Sequence, residues 1–415
     1  MKNIPDLNNP ISNPTRRSLK DICYLTLLFM LLSSSLMYAQ STDTGISKNP
    51  PGAIIAYSPA SSGLFIGSPS IAVLPNGDYV ASHDYFGPKS TENQSAISRI
   101  YKSRNKGKTW AQIAEINGQF WSKLFVHNKI LYLIGTWKQY GNMIIRKSLD
   151  GGKTWTAPSD AQHGLLLKGA YHCAPTPVIQ YQGKLWRGME DAMGPVKGWG
   201  KMFGSFMMSV PVDADLLNAD SWTSSNTLRY DSTYLSGYFG GWLEGNAVVN
   251  PEGKVVNILR VAYEREGKEK AAIVQISDDG KNASFNPDSG FIDFPGGSKK
   301  FAIYYDSKSR LYWTLSNYIP EKDKSGYIGN TRNVLALCSS VDLREWQLKS
   351  IILEHLDKEK HGFQYVDWQF EGKGIIAVSR TAYDNGNEGA RNFHDANYLT
   401  FHRIKNFRKL KPRNL

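Results

Sequence analysis

Arginine, glutamate, tyrosine and histidine side chains recur at the ends of short apolar stretches in this chain. Guanidinium groups bind carboxylates and sulfates through paired hydrogen bonds, while tyrosine and histidine can donate or accept a proton during a reaction. The candidates are Arg187, Arg260, Arg380, Glu190, Glu244, Tyr171, Tyr383, His83, His172 and His361. A shared role requires a fold that brings residues so distant in sequence to one place.

A recurring turn motif indicates what that fold is. Residues 148–155 read S-L-D-G-G-K-T-W, and residues 103–110 repeat the pattern with Asn105 in the place of Asp150. Weaker copies follow at residues 277–281 and 340–346. In such a turn the aspartate can accept hydrogen bonds from backbone amides, glycine supplies a positive φ, and tryptophan packs between neighbouring sheets.

These turns resemble the Asp-boxes of sialidase-like β-propellers, which implies an all-β fold. The strand pattern between the turns predicts a six-bladed β-propeller over residues 40–403, with seven blades as the alternative. The inner strands of the blades are predicted to begin near Ser70, Phe120, Pro175, Asn246, Phe301 and Gln364. Residues Ala53–Tyr57 are predicted to supply the outer strand of the last blade and to close the ring.

Alternating strand directions predict which loops share a face. The turns between the first and second strands of each blade lie on the face of the Asp-boxes. Residues entering a first strand or leaving a second strand surround the mouth of the channel on the other face. Those residues are polar: His83, Asp84, Lys138, Glu190, Asp191, Arg260, Arg380, Tyr171, His172, Glu244, Lys299, Lys300 and His361. Several cations at one mouth predict an anionic ligand.

One segment also resembles the propeller-fold ulvan lyases, which cleave sulfated algal polysaccharides by β-elimination. The resemblance is carried by Tyr171 and by Arg187, sixteen positions later. It implies that Tyr171 transfers a proton and that Arg187 neutralises a uronate carboxylate as negative charge develops. The family's histidines have no counterpart near residues 119–121 or 137–140. His172 and His83 are therefore the candidate bases.

Three functions are consistent with this pattern. The main prediction is a carbon–oxygen lyase acting on a uronate-containing, sulfated (ulvan-like) oligosaccharide or polysaccharide, which either cleaves a glycosidic bond or dehydrates a terminal uronate. Its substrate contacts are predicted at Arg260, Arg380, Glu244, Glu190, His361 and Tyr383. The alternative is a sialidase-type exo-hydrolase of an acidic sugar, in which Arg187, Arg260 and Arg380 bind a carboxylate while Tyr383 and Glu244 form the nucleophilic pair. The third is a glycan-binding propeller without activity.

The two ends of the chain carry separate patterns. Basic residues precede an apolar run at residues 22–37, and Ala39 precedes the predicted cleavage point. Residues 1–39 are therefore predicted to be a secretory signal peptide, and the mature chain to be periplasmic or secreted. Residues 404–415 are predicted to form a basic, solvated tail.

The remaining composition predicts a monomer that requires neither cofactor nor metal. Six of the charges behind the net +12 lie among the last thirteen residues, which contain no acid, so the body is only mildly basic and no nucleic-acid partner is predicted. After signal removal no membrane insertion is predicted. Only Cys173 and Cys338 remain in the mature chain, and they could pair with each other.

Overall fold

The fold is that of a six-bladed β-propeller, as the sequence predicts. The computed structural model describes residues 49–410 apart from residues 264, 266 and 327, so the predicted signal peptide lies outside the described residues. The described residues form six antiparallel sheets of four or five strands.

The first three blades are built from strands β2 to β15, after strand β1 (Ala53–Tyr57). The first contains β2 (Phe65–Ile66), β3 (Ser70–Val73), β4 (Tyr79–Phe86), β5 (Ile97–Ser103) and β6 (Ala111–Asn117). The second contains β7 (Phe120–His127), β8 (Ile130–Thr136), β9 (Met143–Ser148) and β10 (Leu165–Leu167). The third contains β11 (Tyr171–His172), β12 (Ile179–Tyr181), β13 (Lys184–Asp191), β14 (Gly204–Pro211) and β15 (Thr223–Ser224).

The last three blades complete the ring. The fourth contains β16 (Phe239–Val249), β17 (Val255–Tyr263), β18 (Lys270–Ile276), β19 (Ala283–Ser284) and β20 (Phe291–Asp293). The fifth contains β21 (Ala302–Asp306), β22 (Leu311–Ser316), β23 (Val334–Ser340) and β24 (Gln347–Glu354). The sixth contains β25 (Gly362–Glu371), β26 (Gly374–Ala382), β27 (Tyr398–Ile404) and β1.

Helical structure within the described residues is confined to short segments. They are the α-helix Pro287–Gly290 and the 3₁₀ segments Ala60–Ser62, Ala219–Ser221, Tyr234–Gly237, Glu321–Asp323, Ile328–Asn330 and Phe407–Lys409. None of the described helices is long and apolar enough to cross a membrane.

The ring is closed by pairing between the two ends of the domain, which confirms the predicted closure. Strand β1 runs antiparallel to β27, with Ala53 opposite Phe401 and Tyr57 opposite Tyr398. Between the last strand of the third blade and the first of the fourth lie only an isolated bridge at Leu228 and the 3₁₀ segment Tyr234–Gly237, so the seven-bladed alternative is wrong. Three inner strands differ from the prediction: β16 begins at Phe239 rather than near Asn246, and those of the first and third blades are divided, into β2 and β3 and into β11 and β12.

The blades are held together by apolar residues buried between adjoining sheets. Between the first two blades, Ile100 and Val80 pack with Leu131 and Leu133, and Trp155 from the turn lies against the same cluster. Trp186, Trp242, Trp313 and Trp368 are fully buried in other blades. Burial of such large side chains stabilises the blade interfaces.

The turn at residues 148–155 has the hydrogen bonds that its sequence predicts. Asp150 Oδ1 accepts from the amides of Lys153 and Thr154 at 2.9 and 3.0 Å, and the Trp155 indole donates to Gly152 O at 3.0 Å. In the sibling turn Asn105 Oδ1 accepts from the Thr109 amide at 2.9 Å.

We expect Asp150→Ala to lower the free energy of unfolding by about 1 kcal/mol, comparable with the loss of a helix cap, because two backbone amides lose their acceptor. Chemical denaturation measures the change. Asp150→Asn is the matched control, since Asn105 performs the same task in the sibling turn, and it should retain most of the stability. Equal losses in both variants would contradict this account of the turn.

The predicted solvated tail is wrong for its first residues. Phe407 is fully buried and packs against Trp313 and Phe370, and Arg408 forms an ion pair with Asp306 at 2.6 Å. The chain therefore remains part of the propeller through this segment, because an aromatic ring and a paired arginine anchor it to the fifth blade. Cys173 and Cys338 are buried and are not bonded to each other.

Candidate active site

A polar cavity of about 430 Å³ lies where the cation-rich loops converge. Three arginines from the last three blades line it, Arg260, Arg332 and Arg380. They face a set of proton-transfer groups that comprises Asp84, Glu92, Glu244, Tyr365, His172 and His394. The rest of the wall includes Phe86, Phe120, Trp121, Tyr140, Cys173, Trp199 and Asn330.

A repeated β-bulge places side chains in this cavity. Trp121, Glu244 and Tyr365 occupy the same position in the inner strands of the second, fourth and sixth blades, and each has a positive φ, of 47°, 53° and 54°. At each of these positions the register between the first and second strands shifts. The extra residue turns one side chain out of the regular alternation and towards the channel mouth.

The fourth blade shows the geometry. Leu243 in β16 is opposite Arg260 in β17, and Asn246, three residues later, is opposite Ile258, only two residues away in β17. A left-handed backbone costs a residue other than glycine about 1–2 kcal/mol, so surrounding contacts must hold it. Here Glu190 accepts a hydrogen bond from the Gly245 amide at 2.8 Å, directly after Glu244.

Tyr365 and Glu244 form a coupled pair. Burial raises the pKa of the Glu244 carboxyl, but the charges of Arg260 and His172 and hydrogen bonds from Arg260 and Tyr365 outweigh it, so the net pKa is lowered. Burial and the charge of Glu244 raise the pKa of Tyr365 against the opposing effect of the arginines. The resting pair is therefore a neutral phenol beside a carboxylate, which can take the phenol's proton.

The three arginines are anchored in different ways. Arg260 Nη1 donates to Glu244 Oε2 at 3.0 Å. Arg332 donates to the side chain of Gln364, and Arg380 Nη2 donates to His394 O at 2.6 Å. All three are nearly fully buried, with exposures of 3 to 7 %. Three buried cations beside one carboxylate of lowered pKa leave the site able to bind an anion.

Asp84 is a buried carboxyl that can hold a proton near neutral pH. Burial raises its pKa to about 7, against hydrogen bonds from the amides of Ser68 and Trp121 and the charge of Arg380. Those amides donate to Asp84 Oδ1 at 2.7 Å and to Oδ2 at 2.5 Å. Glu92 lines the cavity from the loop between β4 and β5, and burial raises its pKa too. The cavity thus has two candidate proton donors.

One wall of the cavity is aromatic. The His172 ring stacks on Phe203 at 4.4 Å between centroids and meets the edge of Trp121 at 4.5 Å. Trp199, which is half exposed, covers the Arg260 guanidinium at 5.4 Å. Aromatic faces beside charged groups are suited to a sugar ring, which has apolar faces and polar edges.

Of the residues predicted from sequence, Arg260, Arg380, Glu244 and His172 line this cavity. Glu190 lies behind it, where it holds the Gly245 amide and approaches His172 Nδ1 at 3.5 Å. The prediction that Arg187, Arg260 and Arg380 form one cluster requires correction, because Arg332 occupies the third place.

Tyr171 and Arg187 are not brought together at the cavity. Tyr171 pairs with Asp191, whereas Arg187 lies four residues away along β13, on the order of 13 Å. The Tyr171 ring packs on Phe206 in the blade core, and the Arg187 guanidinium donates to Ala174 O at 3.0 Å.

Three other predicted residues also point away from the cavity. His83 is buried between strands, where Nε2 lies 3.2 Å from the Tyr101 hydroxyl, and burial lowers its pKa to about 4. His361 stacks on His355 at 3.4 Å between centroids, and Tyr383 packs against the His361 ring at 4.8 Å. None of the three lines the cavity: strand alternation turns His83 between the sheets, and His361 and Tyr383, which lie just outside β25 and β26, pack against each other.

The residues that sequence reasoning missed are Arg332, Tyr365 and Glu92, and Asp84 was noted at the mouth without a role. Arg332 and Glu92 lie on loops between the second and third strands of their blades. Those loops are on the face predicted to carry the channel mouth, so their position in the sequence could have identified them as candidates. Tyr365 carries no such signal, because its orientation depends on the bulge in β25.

Within the described residues no group of three or more histidine, cysteine or acidic side chains could hold a metal ion.

Comparisons by sequence assign no family to this chain. No family model matches it, and no curated protein matches it.

Solved structures share its fold. An α-L-arabinanase from Penicillium chrysogenum, complexed with arabinobiose, aligns over 86 % of this chain and 98 % of its own, with a TM-score of 0.53 at 15 % identity. A Dyadobacter fermentans protein of unknown function aligns over 86 % and 100 %, with a TM-score of 0.55 at 14 % identity. The Trypanosoma rangeli sialidase in complex with sialic acid aligns over 85 % of this chain and 57 % of its own, with a TM-score of 0.51 at 14 % identity. These likenesses show the propeller fold, and the finer resemblance to ulvan lyases stays a prediction.

Proposed function

We propose that this protein is an exported glycoside hydrolase that removes a terminal acidic sugar, with Tyr365 as nucleophile. The observation that carries the proposal is the convergence of Arg260, Arg332 and Arg380 on one cavity with the Tyr365–Glu244 pair. The predicted hydrolase alternative uses the same chemistry, with Arg187 and Tyr383 in the roles that this proposal gives to Arg332 and Tyr365.

The first step forms a covalent sugar–tyrosine intermediate. The Tyr365 oxygen attacks the anomeric carbon while Glu244 accepts the phenol's proton, and the glycosidic bond breaks. A neutral phenol beside a base suits a substrate whose anomeric carbon itself carries a carboxylate, since an anionic nucleophile would be repelled by that group. The substrate class we infer is therefore a glycoside of a 2-keto sugar acid.

The arginines bind that carboxylate, and Asp84 is the general acid for the leaving group. Asp84 protonates the departing oxygen and then, as a carboxylate, takes a proton from the water that attacks the anomeric carbon. The bond to Tyr365 breaks in this second step, and Glu244 returns the proton. Two displacements at one carbon retain its configuration.

The elimination hypothesis depends on Tyr171 and Arg187, and neither of these residues lines the cavity. The deciding experiment is hydrolysis in ¹⁸O water of aryl glycosides of sialic acid, of a uronic acid and of α-L-arabinofuranose. We expect label at the anomeric carbon of the released acidic sugar and no turnover of the neutral arabinoside. An unsaturated uronate product without label would instead support a lyase, and binding without turnover would support a non-catalytic glycan-binding protein.

We expect kcat/KM to fall as pH rises through about 7, because Asp84 loses the proton that the leaving group needs. Asp84→Asn should remove this basic limb and should slow substrates with poor leaving groups about 10²-fold or more, while activated aryl glycosides are less affected. Glu92→Gln is the matched control and should keep the limb. If the limb is lost in Glu92→Gln and kept in Asp84→Asn, Glu92 is the acid.

A further inference from the structure

Buried lysine side chains that do not line the cavity hold the two residues that follow Tyr365. Lys300 Nζ donates to Val366 O at 2.7 Å, and Lys123 Nζ binds both carboxylate oxygens of Asp367 at 2.7 and 2.6 Å. Asp367 Oδ2 also accepts from Ser70 Oγ at 2.7 Å. The two residues that follow Tyr365 are thus each held by a buried ammonium group.

Lys300 is unusual for a buried lysine. Its exposure is 2 %, and among the described residues Val366 O is its one hydrogen-bond acceptor, with no carboxylate within ion-pair distance. Burial lowers its pKa to about 7; the more distant charges of Asp367 and Glu244 raise the pKa, and the like charges of Lys123 and Arg187 lower it. A buried cation without a paired anion is a poor stabilising element, so stability alone does not explain it.

The carbonyl that Lys300 binds belongs to the bulge itself. Tyr365 and Val366 are the unpaired residues between Gln364, opposite Arg380, and Asp367, opposite Val378. Val366 O lies on the second peptide after Tyr365, so the hydrogen bond from Lys300 holds the far end of the bulge that begins at Tyr365. Lys300 does not line the cavity, so it does not contact a ligand bound there.

We propose that Lys300 is a positioning residue that holds the Val366 carbonyl and thereby keeps the Tyr365 phenol aimed into the cavity beside Glu244. This inference rests on the proposed function only where it predicts an effect on turnover. The positioning itself is a property of the backbone. Because Lys300 acts through geometry and not through its charge on the phenol, its loss affects the chemical step without affecting capture of the substrate's carboxylate.

The test is Lys300→Met, a substitution of similar shape without a donor. We expect kcat to fall about 10–100-fold with KM within about threefold of the wild-type value, because misplacement of a reacting group by about 1 Å can cost 10²-fold. The pH profile should keep its shape, and the melting temperature should be unchanged or higher. Tyr304→Phe, which removes a hydroxyl that lies outside the cavity and interacts with the charges of Asp367 and Arg187, is the matched control and should leave kcat unchanged within about twofold.

A second variant and a crystal structure test the positioning of Tyr365 independently of activity. Lys300→Gln retains a donor without the charge and should recover part of the lost kcat. The structure of Lys300→Met should show Tyr365 with a negative φ and its phenol displaced, an outcome that can be read even if no substrate is found. Unchanged kcat, a shifted pH profile, an undisturbed Tyr365, or failure of both variants to fold would each overturn the proposal.

Discussion

Tyr365→Phe should reduce kcat about 10²–10⁴-fold while KM changes little, because it removes the attacking oxygen and leaves the shape of the cavity intact. The three arginines that bind the carboxylate remain in place in this variant. Steady-state kinetics with an acidic aryl glycoside measures the loss. A substrate fluorinated beside the anomeric carbon should trap the sugar on the wild-type protein, and mass spectrometry should locate it on the peptide that contains Tyr365.

Tyr383→Phe is the control, since Tyr383 was the nucleophile candidate from sequence and packs instead against His361 outside the cavity. Its activity should stay close to that of the wild type. Full activity in Tyr365→Phe together with a loss in Tyr383→Phe would refute the assignment of the nucleophile. Trapped sugar on a carboxylate such as Glu244 would show that the reaction uses a different nucleophile.

Arg380→Met should lower kcat/KM for an acidic glycoside about 10²-fold or more, because removing one partner of a buried charge contact is costly. The effect should divide between KM and kcat, since the carboxylate is bound in the ground state and remains bound as the anomeric bond breaks. Competition by the free sugar acid should weaken in parallel, which a direct binding measurement tests.

A surface arginine supplies the matched control. Arg99 is about one third exposed and pairs with Glu115 at 2.9 Å, so Arg99→Met should retain full activity. A substrate whose carboxylate is converted to an amide removes the same contact from the ligand's side. The wild-type protein should strongly prefer the acid over this amide, and Arg380→Met should have lost much of that preference. If the variant still prefers the acid as strongly as wild type, Arg380 does not bind the carboxylate.

The turn motifs explain why the architecture could be predicted. Each turn is closed by contacts within about eight residues, as between Asp150 and the amides of Lys153 and Thr154, so its sequence is sufficient to define it. Repetition of such a turn in four places, together with the recurring strand pattern between them, then predicts a ring. The same reasoning put Arg260, Arg380 and Glu244 at the channel mouth, because strand direction alone decides which loops share a face.

Selection among the mouth residues needed the tertiary structure. Arg187 is the third arginine predicted from the sequence, yet Arg187 does not line the cavity and donates to Ala174 O, whereas Arg332 lines it. The difference arises from the loop that carries Arg332 and from its contact with Gln364 in the next blade. Contacts between blades depend on how neighbouring sheets pack, which no local pattern describes.

The sequence by itself determined the six-bladed ring, its closure by Ala53–Tyr57 and the face on which polar groups gather, because these follow from local turns and from the alternation of strands. Only the tertiary structure decided that Tyr365 is turned towards Glu244. A β-bulge adds one residue to a strand and reverses the side to which the next side chains point, and it is held by partners as distant as Lys300 and Lys123. The period of two in a strand predicts an inward or outward side chain only while the register is unbroken, and at this site the register breaks.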